Sequence, residues 1–183
     1  MVDLIIYCVV KVNIMNEVDV IDLLKQAENL GIVVWVGGGW GVDALIGSQT
    51  RPHNDIDVYI EKRNAASFIR MITSKGYLEL EMEYTTESHI VWQNSSGHTV
   101  DLHLIEFKKE DPKSLYFEGE AYPLFVLDGK GTIGGVAVRC FTAEAQLLFH
   151  QGYEHTEKDT HDVLLLCKTF GLEAPEEYKT NSE

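Results

Sequence analysis

The stretch Ile32-Val33-Val34-Trp35-Val36-Gly37-Gly38-Gly39 runs from β-branched apolar residues straight into glycines. After a gap of fifteen residues beyond Gly39 comes Asp55-Ile56-Asp57. The first run reads as a buried strand over 32–36 ending in a tight turn, with one or two helical turns from Trp40 to Ile46. Asp55 to Ile60 alternates polar and apolar residues, as a strand with two different faces does. Residues two apart on a strand point the same way, so Asp55 and Asp57 present two carboxylates on one face. Carboxylates that close repel one another unless a cation sits between them. Mg²⁺ is held by one or two such groups together with substrate phosphates. Asp101, flanked by Val100 and Leu102 in an alternating strand over 99–105, can complete a triad of acids. Gly38 and Gly39 allow close backbone approach, and N–H groups at a helix start can cradle a phosphate. The turn is not a Walker A loop, because no Lys-Ser/Thr follows. Nor is it a dinucleotide fingerprint, since Val42 stands where the third glycine is needed.

Outward from this pair, Val18, Ile21, Leu24, Ala27 and Leu30 fall at helical spacing, with Asn16 as N-cap and Gly31 as stop. A helix over 64–74 closes at Gly76. Residues 77–83 and 90–93 read as strands. The turn at Asn94-Ser95-Ser96-Gly97 leads into the strand that carries Asp101. Residues 108–131 read as loop, with Asp111-Pro112 and Asp128-Gly129 as turn signals. A last strand follows over 136–140. Thr142 caps a helix through Gly152, and another helix spans 159–170. The expected class is α+β, a mixed sheet flanked by helices. Its expected organisation is an extension of uncertain role over 1–14, a core over 15–140, C-terminal helices over 141–172 packed on that core, and a flexible tail over 173–183.

Composition narrows the function. The chain has 183 residues, 15 Lys and Arg against 29 Asp and Glu, and a formal charge of −14. An acidic surface argues against binding nucleic acid or an anionic membrane, whereas it concentrates cationic small molecules. Three cysteines, Cys8, Cys140 and Cys167, make no Cys-x-x-Cys pair and no disulfide framework. The apolar run from Leu4 to Val10 is too short to span a membrane and lacks a basic flank. The expected location is the cytoplasm.

The ordered set of strand, Gly-Gly turn, Asp-x-Asp and later strand Asp resembles the polymerase-β-like nucleotidyltransferases. Gly38-Gly39-Trp40-Gly41-Val42-Asp43 and Thr50-Arg51-Pro52-His53-Asn54-Asp55-Ile56-Asp57 are similar to the small antibiotic-modifying members. Val100-Asp101-Leu102-His103 and Glu144-Ala145-Gln146-Leu147-Leu148-Phe149-His150-Gln151-Gly152-Tyr153 resemble the lincosamide nucleotidyltransferases in particular. The resemblance implies transfer of AMP from ATP to an antibiotic hydroxyl with release of pyrophosphate, Mg²⁺ being held by Asp55, Asp57 and Asp101. It also makes Asp101 a general base, a metal ligand, or both. Arg51, His53 and Lys158 are the residues it brings to the phosphates beside Gly38 and Gly39, and it suggests a homodimer. An aminoglycoside acceptor, or a nucleotide-sensing module without turnover, are the alternatives.

Overall fold

The computed structural model describes residues 14–179. The proposed extension over residues 1–14, Cys8 included, lies outside them except for Ile14. The first helix, α1 (Glu17–Asn29), begins in a reciprocal cap. Asn16 Oδ1 accepts from the N–H groups of Val18 and Asp19, while the Asp19 carboxylate accepts from Asn16 N–H. Strand β1 (Trp35–Val36) is only two residues long, shorter than the expected 32–36. Residues 32–34 contribute side chains to the core without joining the ladder.

There follow α2 (Gly38–Ile46), β2 (Asp55–Glu61), α3 (Ala65–Ser74), β3 (Leu78–Leu80), β4 (His89–Gln93) and β5 (Thr99–Lys108). The chain continues through β6 (Asp111–Phe117), β7 (Glu120–Pro123), β8 (Gly129–Ile133), β9 (Val136–Cys140), α4 (Ala143–Phe149) and α5 (Glu157–Phe170). The sheet runs β3-β4-β5-β2-β1-β9-β8, with the β6–β7 hairpin hung from the end of β5. β2 lies parallel to β5 and β1 parallel to β9, and the other pairs are antiparallel. The sheet is therefore mixed and the class α+β.

Residues 108–131, expected to be loop, hold two strands, a short 3-10 turn and the start of β8. Only one face of the hairpin is apolar. Leu115 pairs with Tyr122 and is buried against the aromatic cluster with Phe117, while the other face carries Ser114, Tyr116 and Ala121. Asp111, Lys113 and Glu120 fall among the apolar positions of the Leu115 face and, with the turn signals, mask the alternation. The hairpin turns at Glu118 and Gly119, both at positive φ, the backbone of a type I′ turn. The strand expected over 77–83 shortens to Leu78–Leu80, and α4 ends at Phe149 rather than Gly152.

The alternation in β2 and β5 divides the interior. Ile56, Val58 and Ile60, with Val100, Leu102 and Leu104, pack beneath α1 and α3 in the main core. Each fully buried aliphatic side chain there contributes about 1.5–3 kcal/mol. The opposite face carries Tyr59 and Ile105 into a second, aromatic-rich cluster with Phe141. A third cluster joins α2 to α4 and α5 through Val42, Ala143, Leu147, Val163, Leu166 and Tyr178. Tyr178 is 3% exposed and its hydroxyl donates to the His150 carbonyl. Residues 173–179, expected to be flexible, are thus anchored through that ring. No helix among the described residues is long and apolar enough to cross a membrane.

Candidate active site

Asp57 and Asp101 face each other directly in the parallel register of β2 and β5, with Asp55 opposite Thr99. The three acids share the sheet face of Tyr59, because the intervening residues are spent on the main core. β1 brings the helix start to them. Gly37 N–H donates to the Asp57 carbonyl, so α2 begins beside the Asp-x-Asp strand. A Cβ on Gly38 would overlap the Asp57 carboxylate, and Gly38 also has φ +52. Only glycine fits there without strain. The N–H groups of the first turn have no intrahelical partners, and they open into a cavity of about 380 Å³ that Gly38, Gly39, Arg51, Asp55, Asp57 and Lys158 help to line.

Asp55 opens to solvent at the rim. Desolvation by the cleft walls, then the charges of Asp57 and Asp101, push its carboxyl above the ordinary range, against the pull of Lys158. Desolvation pushes Asp57 upward too. The hydrogen bond from His103 Nε2 (3.3 Å) and the charges of His103, His150 and His89 outweigh it, and the net direction is down. His89 Nε2 donates to Asp101 Oδ1 at 2.6 Å. Burial pulls the His89 ring down, but Asp101, Asp57 and Glu118 hold it above its usual value. The two imidazoles lie 4.2 Å apart at a tilt of 30°, and His103 lies flat against Tyr59 at the same spacing. Ligand atoms of His89, Asp101 and His103 lie within 4.8 Å of one another.

Two expected residues do not stand on the cavity wall. Asp101 is covered by His89, which lines the cavity in its place. His53 is 2% exposed and lies behind Gly39 rather than in the cavity. Its Nε2 donates to Asp43 Oδ2 at 2.6 Å, and its Nδ1 accepts from Arg51 Nη1 at 3.0 Å. Asp43 Oδ1 in turn accepts from Thr50 N–H and its hydroxyl. Arg51 does reach the cavity, with its guanidinium fixed by a two-point pair to Asp162 at 2.9 and 2.5 Å. His53 therefore steadies Arg51 and the glycine turn from behind.

His103 was legible from Asp101, because period two puts both on one face. His89 carried no such signal, since its partnership depends on β4 lying antiparallel to β5 with His89 opposite His103.

The geometry, a glycine-started helix facing three carboxylates, coincides with a family pattern. Residues 19–166 match the model of the aminoglycoside-2''-adenylyltransferases. The chain belongs to this family. It is an antibiotic nucleotidyltransferase, a transferase of the polymerase-β-like fold. A lincosamide resistance protein of Staphylococcus haemolyticus is 30% identical to this adenylyltransferase-family chain over 156 residues, 84% of it and 95% of the relative. A 2''-aminoglycoside nucleotidyltransferase of Escherichia coli is 32% identical over 68 residues, 36% of the chain and 38% of the relative. Among solved structures, the lincosamide antibiotic adenylyltransferase LnuA with lincomycin bound superposes with a TM-score of 0.73 at 28% identity, covering 84% of this chain and 98% of that one. ANT(2'')-Ia in complex with adenylyl-2''-tobramycin gives 0.70 at 21%, covering 85% and 89%, a likeness of fold.

Proposed function

We propose that this protein transfers AMP from ATP to a hydroxyl of a lincosamide antibiotic, with Mg²⁺ and release of pyrophosphate. The observation that carries the chemistry is the in-register Asp57–Asp101 pair, with Asp55 beside it, facing the glycine start of α2. Three hard carboxylate oxygens on one face suit a divalent magnesium ion, and the Asp55 carboxyl, raised first by desolvation and then by the charges of Asp57 and Asp101, feels a repulsion that a cation would relieve. Asp55, Asp57 and Asp101 would hold it. When bound, it supplies charge neutralisation on the phosphates and a lower barrier to deprotonating the acceptor.

The chain's own groups do the rest. Gly38 and Gly39 offer backbone N–H donors to the triphosphate, and Arg51 and Lys158 add positive charge from the same wall. Arg51 is already oriented by Asp162, so little ordering is needed on binding. Asp101 gives Oδ1 to His89, leaving Oδ2 for the cation or for the proton of the incoming hydroxyl. His103 holds Asp57 in its ionised form.

The lincosamide acceptor is supported by the extent of likeness, which spans nearly the whole lincosamide relative but little over a third of the aminoglycoside one. Two observations favour an aminoglycoside instead, the match of residues 19–166 to the aminoglycoside family model and the −14 charge, which suits a polycation. The assay is pyrophosphate release with ATP and Mg²⁺ against clindamycin, lincomycin, kanamycin and tobramycin, with product masses recorded. A gain of one AMP on a lincosamide is expected. Adenylylation of an aminoglycoside alone would overturn the acceptor, and silence with all four would overturn both acceptor classes.

A further inference from the structure

Gln146 is completely buried in α4, yet neither its Oε1 nor its Nε2 has a hydrogen-bond partner among the described residues. A buried amide without partners costs stability, and an apolar side chain of similar size would not. Its neighbours on α4, Ala143, Ala145 and Leu147, are apolar and packed. The amide is therefore out of keeping with the packing around it. It lines the cavity of Asp55, Asp57, Arg51 and Lys158, so a ligand entering that cavity can meet it.

Its position within the cavity is specific. A Cβ on Gly41 would overlap Gln146 Nε2, one on Gly39 would overlap Arg51 and His53, and one on Gly38 would overlap Asp57. Three of the glycines at the start of α2 are thus each pressed by a polar side chain from a different part of the chain. Gly38 and Gly41, three apart, share one face of the helix, and Asp57 and Gln146 stand against that face. The other groups around this turn, free backbone N–H groups, the Arg51 guanidinium and the Lys158 ammonium, all donate to oxyanions.

We propose that Gln146 is a binding residue for the non-transferred phosphates of the nucleoside triphosphate, the part that leaves as pyrophosphate. Its Nε2 donates to a phosphate oxygen from beside the first turn of α2. The amide left unpartnered in the free protein gains its hydrogen bond on binding, so the cost in stability is recovered as affinity. The inference rests on the nucleotidyl-transfer reading above and adds to it a neutral donor specific to the leaving group.

The test is calorimetric titration of inorganic pyrophosphate, with Mg²⁺, into the wild-type protein, Gln146→Leu and Gln146→Met. AMP is titrated as the second ligand and ATP with Mg²⁺ as the third, and melting is recorded without ligand. Pyrophosphate should bind about tenfold more weakly to both variants, the loss of about 1.4 kcal/mol expected for one hydrogen bond to a charged group. AMP should bind all three proteins alike, and the free variants should melt no lower than wild type, with a rise of about 3 °C for the better-packed one. Equal pyrophosphate affinity in a folded variant overturns the role of Gln146 and leaves the nucleotidyl-transfer reading standing. The role is equally overturned if AMP weakens as much as pyrophosphate, or if both variants melt below wild type. A wild-type protein that binds neither pyrophosphate nor ATP with Mg²⁺ overturns both readings.

Discussion

Asp57 is pressed between the His103 ring and the backbone of Gly38, and stands in register with Asp101 on the next strand. Its neutral isostere keeps the shape and loses the charge. Asp57→Asn should lower turnover roughly 10³-fold or more while shifting the melting temperature by only a few degrees. Retained pyrophosphate release would remove Asp57 from the chemistry. Arg51 makes a different prediction, because its partner Asp162 has a side chain only 1% exposed. Arg51→Ala leaves that carboxylate buried and uncompensated, at a cost of about 3–5 kcal/mol in urea unfolding. Arg51→Lys should recover little of this, since one ammonium cannot copy the two-point fork. If Arg51→Leu combined with Asp162→Leu is no more stable than Arg51→Ala alone, the uncompensated charge is not the cause.

α5 carries its own start signal and shows how local chemistry places a distant group. Thr156 accepts from Asp159 N–H, and the Asp159 carboxylate accepts from the Thr156 N–H and hydroxyl and from the Tyr153 hydroxyl. The cap fixes the turn from which Lys158 faces the cavity. Thr156→Ala should cost about 1 kcal/mol and raise the KM for ATP. Burial pushes the Asp159 carboxyl up, but the bonds from Thr156 and Tyr153 outweigh it and leave it below its ordinary value of 3.8. A depressed carboxyl contributes stability that is complete above its unfolded value and is lost as pH falls through the folded one. The stability gap between wild type and Asp159→Asn should accordingly be constant near neutrality and shrink below about pH 4. A gap that widens with acid would reverse the assignment. The β6–β7 hairpin shows the opposite relation, since nothing local announces it. Its Glu118-Gly119 turn places one non-glycine residue in the left-handed region, and the Glu118 carboxylate is tied to Thr86 at 2.5 Å.

At the scale of the whole fold, the last described turn closes the packing. Tyr178 fills a space between α4 and α5 and binds the carbonyl of His150, whose ring neighbours the cavity. Tyr178→Ala should destabilise by roughly 3 kcal/mol, and Tyr178→Phe by about 1 kcal/mol through the unpaired carbonyl. Denaturant unfolding distinguishes these from a loose tail, for which both variants would match wild type.

How much of this was written in the chain follows from the range of each interaction. Alternation is a property of one strand, so the shared face of Asp55 and Asp57 was legible, as were the Asn16 and Thr142 caps and the glycine turn, whereas the arrival of Asp101 beside them needed β2 to pair with β5. Those features depend on neighbours within four residues, where spacing and chemistry suffice. The placement of His53 behind Gly39, the cover of His89 over Asp101, and the unpartnered amide of Gln146 were not legible. Each arises where separate elements meet: the loop before β2 behind α2, β4 against β5, and α4 against the first turn of α2. Which strands become neighbours is set by the summed burial of the two sheet faces, and no short stretch of sequence carries that sum.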